Sequence, residues 1–97
     1  GKAAVLIPAR EQIEYAKRKW TPYLGDLNVI AISPYAARDE EFLNIARELK
    51  LNGTQLVVMD CIGYTLRQKA LIKRELPEAK IITTRGSLGR VLAEMLT

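Results

Sequence analysis

The chain has 97 residues with 48% apolar and 27% charged positions, a net charge of +4, one cysteine and no histidine. That is the size of one small domain with a single core. The absence of histidine excludes His-based zinc sites, Ser-His-Asp triads and imidazole general bases together, and no stretch approaches the roughly 20 apolar residues of a membrane span.

The first apolar run is Ala3-Ala4-Val5-Leu6-Ile7, closed by Pro8. Ile13, Ala16, Trp20 and Leu24 then recur at helical spacing and stop at Gly25-Asp26. The densest basic cluster, Lys17-Arg18-Lys19, lies on this helix and reads as a solvated face, with Trp20 at a core spacing. A nucleic-acid surface would want aromatics interleaved with a basic stripe. The excess positive charge therefore fits an anionic small molecule better than a nucleic acid.

The second run, Asn28-Val29-Ile30-Ala31-Ile32, ends at Ser33-Pro34, and Phe42, Ile45, Ala46 and Leu49 mark a second helix before Asn52-Gly53. The third run, Leu56-Val57-Val58-Met59, leads into Asp60-Cys61-Ile62-Gly63-Tyr64-Thr65. Thr65-Leu66-Arg67-Gln68 is a capping-box pattern opening a third helix that runs to Leu76 before Pro77. A fourth run, Lys80-Ile81-Ile82-Thr83-Thr84, precedes a helix from Ser87 with Leu88, Val91, Leu92 and Met95 on one face.

The four runs are continuous rather than alternating, as strands covered on both faces are. Strict strand–helix alternation predicts an α/β domain over residues 1–97 with a parallel four-stranded sheet and right-handed crossovers. The predicted strand order is 2-1-3-4, flavodoxin-like without a fifth strand. The topological switch then falls between strands 1 and 3, where ligands bind at the carboxyl ends of open α/β sheets.

The loop after strand 3 carries the only cysteine. A thiolate is the reactive form of cysteine, and the helix N-terminus following Cys61, with Arg67 in its first turn, favours negative charge. The opposing reading is a buried structural thiol, since free cysteines are among the most buried residues. Gly63 is expected to serve a turn conformation that a side chain would penalise. Tyr64 either covers a pocket or closes the core edge, and Thr65 completes the loop as a helix cap. Arg85-Gly86-Ser87 before a helix is either an anion nest or plain capping, and Thr84 offers a hydroxyl beside it. Asp60 ends strand 3 as the phospho-acceptor of response-regulator receivers does. Receivers need an acidic pair after strand 1, however, where this chain has Ala9-Arg10.

Across Val57-Val58-Met59-Asp60-Cys61-Ile62-Gly63-Tyr64 the chain resembles the carboxyl-terminal half of the AroM family. The likeness takes in Val5-Leu6-Ile7-Pro8, Lys19-Trp20, Arg67-Gln68 and Leu92-Ala93-Glu94-Met95-Leu96. That family is similar to the aspartate/glutamate racemase superfamily, in which two α/β halves face each other across the active site. The resemblance implies a half-domain whose Cys61 matches the second-half cysteine of the racemases, a proton-transferring thiol at a strand end. It also implies that an amino-terminal half completes the site. The racemases follow that cysteine with Thr-His, whereas this chain has Ile62-Gly63. Single-cysteine relatives include decarboxylases and isomerases of dicarboxylates.

The expectations are therefore a cytoplasmic, cofactor-independent and metal-free racemase-, isomerase- or lyase-type half-site on a small carboxylate. Cys61 is the catalytic group, and Gly63, Tyr64, Thr65, Thr84, Arg85 and Ser87 are the substrate contacts. The alternative is a non-catalytic carboxylate-binding or regulatory domain with an inert Cys61. The last helix, Ser87 to Thr97, is expected to pack on the missing half or to drive a homodimer, and the domain alone is expected to be inactive.

Overall fold

A computed structural model describes residues 2–84. Four strands, β1 (Ala3–Ile7), β2 (Leu27–Ala31), β3 (Leu56–Met59) and β4 (Lys80–Thr83), form one sheet in the order β2-β1-β3-β4. Every pairing is parallel, with Val5 opposite both Val29 and Val58, and Val58 opposite Ile82. The predicted order and sheet type are those observed. The second strand lies one residue earlier than its apolar run, because Ile32 follows the strand and still donates its N–H to Ile7 O at 2.8 Å. The fourth ends at Thr83, with Thr84 beginning a turn.

Helices α1 (Ile13–Leu24), α2 (Asp39–Leu51) and α3 (Leu66–Glu75) connect the strands, and a short 3-10 turn at Arg10–Gln12 leads into α1. Successive strand residues point to opposite faces of a sheet, so each strand contributes to two cores. Val5, Ile7, Val29 and Val58 pack with Ala16 and Trp20 of α1. Ala4, Leu6, Val57, Met59 and Ile81 pack on the other face with Phe42, Ala46, Leu49, Tyr64 and Ile72. The split follows from right-handed crossovers: the chain steps from β1 to β2 in one direction and from β2 to β3 in the other, so α1 and α2 cover opposite faces.

Local chemistry sets the helix limits. Gly25 ends α1 with φ 70°, a conformation other residues rarely take, and Gly53 (φ 73°) does the same after α2. Thr65 Oγ1 accepts the Gln68 N–H at 3.1 Å and Gln68 Oε1 accepts the Thr65 N–H at 2.9 Å, so the capping box read from sequence starts α3. No helix among the described residues is long and apolar enough to cross a membrane.

Candidate active site at the carboxyl end of the sheet

The two-residue alternation of β3 continues past its end and sorts the next side chains. Met59 faces α2 and α3, Asp60 turns toward α1, and Cys61 turns back toward the α2–α3 core, against which its half-buried side chain packs. The Asp60 N–H still donates to Leu6 O at 2.9 Å, so the strand-like path holds through this step. Cys61 then opens a tight turn: its carbonyl accepts the Tyr64 N–H at 3.2 Å and its Sγ accepts the Gly63 N–H at 3.3 Å.

Ile7 at the end of β1 and Pro8 after it meet Asp60 and Cys61 after β3 around a cavity of about 270 Å³, whose remaining wall is Gln12, Tyr15, Ala16 and Lys19 of the segment entering and forming α1. The cavity lies between the strands where the connection changes direction, the place the strand order predicts. A hollow of about 480 Å³ farther out, beside Ile32, Ser33, Glu41 and Asn44, contains none of the sequence-predicted site residues.

Asp60 is the least expected member of this wall. Its Oδ2 accepts the Trp20 indole N–H at 2.9 Å and lies 3.6 Å from Lys19 Nζ. Helical spacing identifies Trp20 as a core residue, which it is, but gives no sign that its nitrogen reaches forward to the end of β3. The available signal was a carboxylate directly after a buried strand, a group that must find a donor when half-buried.

The turn after Cys61 is locked to the loop after β2. The Tyr64 ring is fully buried edge-on to Phe42, with centroids 6.2 Å apart, and its hydroxyl donates to Ile32 O at 2.7 Å. Burial, then the neighbouring Cys61 and Asp60, push the Tyr64 phenol above its ordinary range. Gln68 Nε2 donates to Pro34 O at 2.9 Å, while Ser33 Oγ accepts the N–H groups of Tyr35 and Ala36 at 3.1 and 3.0 Å. Of the two readings of Tyr64, the structure thus has the one that closes the core.

Gly63 differs from its expected role. Its φ is not positive, so the turn itself makes no demand for glycine. The constraint is instead a close approach, since a Cβ at Gly63 would lie 2.7 Å from Tyr35 Cζ and 3.1 Å from Pro34 Cγ. Arg67 also differs: it is exposed and paired with Asp39 at the start of α2, which holds the Asp39 carboxyl below its usual range, so its charge serves that pair rather than Cys61.

Thr84 follows the end of β4, with its N–H donating to Met59 O at 3.3 Å, and does not line the cavity. The predicted contacts Arg85 and Ser87, and the predicted fourth helix, lie outside the described residues. Cys61, Gly63, Tyr64 and Thr65 follow one another in the segment from β3 to α3, and of the predicted contacts within the described residues Cys61 alone lines the cavity. Thr65, however, uses its hydroxyl to cap α3.

Among comparisons with known proteins, the family model described as AroM protein matches residues 1–96. No curated protein and no solved structure gives a significant match.

Proposed function

The chain belongs to the AroM family, and from that we propose that it supplies the thiol-bearing half of a cofactor-independent site acting on a small carboxylate, as in the aspartate/glutamate racemase superfamily. Cys61 is the proton-transfer group: its thiolate takes the proton from the carbon beside the substrate carboxylate, or its thiol returns one. The turn through Gly63, Tyr64 and Thr65 fixes the sulfur, while Thr84, Arg85 and Ser87 contact the carboxylate. A second, amino-terminal α/β half closes over the crevice and completes the site, in a cytoplasmic protein. Racemisation, isomerisation and decarboxylation all share this proton transfer.

The observation that carries this reading is the position of Cys61, a lining residue of the switch-point cavity whose Sγ accepts the Gly63 N–H at 3.3 Å. Its test is a proton NMR time course in D2O of malonate, methylmalonate, L-aspartate and L-glutamate with the protein carrying both halves. The expected result is exchange of the α-proton or loss of carboxylate from one of these, abolished in Cys61→Ala with the fold retained. Turnover that persists in that variant contradicts the role of Cys61.

The packing of Cys61 against the α2–α3 core favours a second reading, a carboxylate-binding domain with an inert thiol. In that case carboxylate binding survives Cys61→Ser unchanged and no α-proton exchange occurs.

A further inference from the structure

The α1 wall of the Cys61 cavity carries a cation that the predicted substrate contacts do not include. Lys19 Nζ lies 3.6 Å from Asp60 Oδ2 and 5.3 Å from the centroid of the Trp20 ring, and its side chain is 25% exposed. A charge-assisted hydrogen bond is shorter, about 2.7–2.9 Å. The ammonium is thus held by charge and by the aromatic face beneath it, and no acceptor among the described residues takes any of its three donors. Asp60, by contrast, already has a hydrogen bond from the Trp20 indole on the same oxygen, at 2.9 Å.

Two consequences follow from this asymmetry. Lys19 can turn its donors to an incoming anion without breaking a hydrogen bond, while the indole keeps Asp60 in place. Conversely, a carboxylate entering a cavity walled by Asp60 meets a like charge that Lys19 alone offsets among the residues lining it. We propose that Lys19 is the carboxylate-recognising residue of the Cys61 cavity, with Asp60 and Trp20 as the positioning residues that hold its ammonium at the cavity wall. The inference rests on the reading of this cavity as a carboxylate site and adds the cation that recognises the ligand.

Trp20 is the sole tryptophan of the chain, so its fluorescence reports on this wall directly. Sodium malonate is titrated against sodium chloride of equal ionic strength, following Trp20 emission and the rate at which iodoacetamide alkylates Cys61. The expected result is a saturable emission change and matching protection of Cys61 by malonate. Lys19→Met then weakens malonate affinity at least about tenfold, the loss of one hydrogen bond between charged groups, and Lys19→Arg restores most of it. Circular dichroism confirms that both variants fold. Equal protection of Cys61 in wild type and Lys19→Met overturns the role of Lys19 while leaving the carboxylate site standing. Absence of protection in the wild type as well overturns both.

Discussion

The Trp20 indole N–H donates to Asp60 Oδ2 at 2.9 Å across 40 residues of sequence. It ties the middle of α1 to the residue that immediately precedes Cys61. Through this one bond the packing of a helix onto the sheet also sets the wall of the candidate site. Core and site are therefore not separable at this position.

Replacement of Trp20 tests that coupling. Trp20→Phe removes the donor and part of the buried ring, and is expected to lower unfolding free energy by about 2–3 kcal/mol. Asp60→Asn keeps an oxygen for the indole and is expected to cost clearly less. Urea denaturation of the two variants checks the order. A larger loss in Asp60→Asn would place the weight on the Lys19 ion pair instead.

Tyr64 makes stability depend on alkaline pH. Its phenol is held above the ordinary value, first by burial and then by Cys61 and Asp60, so the folded state retains a proton that the unfolded chain releases near pH 10. The associated stability is present below pH 10 and is lost as pH rises toward the folded value, at about 1.4 kcal/mol per pH unit. Tyr64→Phe lacks this slope but loses the hydrogen bond to Ile32 O, about 1 kcal/mol at neutral pH. Unfolding measured from pH 7 to 11.5 should show wild type ahead at neutral pH and the two curves converging above pH 10. Parallel curves would contradict the burial of the phenol.

Gly63 distinguishes a conformational from a steric demand. A turn requiring left-handed backbone would penalise Gly63→Ala whatever surrounds it. Here the obstacle is chiefly the Tyr35 ring, which is 80% exposed and free to swing outward. Gly63→Ala is expected to cost less than about 1 kcal/mol, and clearly less again when Tyr35→Ala is already present. Thermal unfolding of the four members of this cycle reads the coupling directly, and no coupling would contradict the close approach.

The sheet was legible because its determinants are local and repetitive. Four continuous apolar runs, the Thr65–Gln68 capping box and the glycines after α1 and α2 each act within a few residues, and alternation with right-handed crossovers leaves few strand orders. Cys61 was legible as a lone thiol after a strand. The Lys19–Asp60–Trp20 arrangement was not, because it joins side chains far apart in sequence whose separate patterns, a solvated basic face and a core indole, are both common. Gly63 was misread for a related reason: a glycine in a turn fits a backbone explanation equally well, and the Tyr35 ring over it comes from the neighbouring loop.

The central claim, that Cys61 stands in a carboxylate-recognising cavity, is tested most directly by its own alkylation. Iodoacetate carries a carboxylate and iodoacetamide does not, while both lose iodide to the same sulfur, and the chain has no second cysteine to confuse the reading. The rate ratio of iodoacetate to iodoacetamide is compared between the native chain and the chain in urea. The account predicts a native ratio at least about tenfold higher, as one carboxylate–lysine hydrogen bond would give, with saturation at rising iodoacetate. Equal ratios in the two states, or a native thiol that neither reagent reaches, would contradict it.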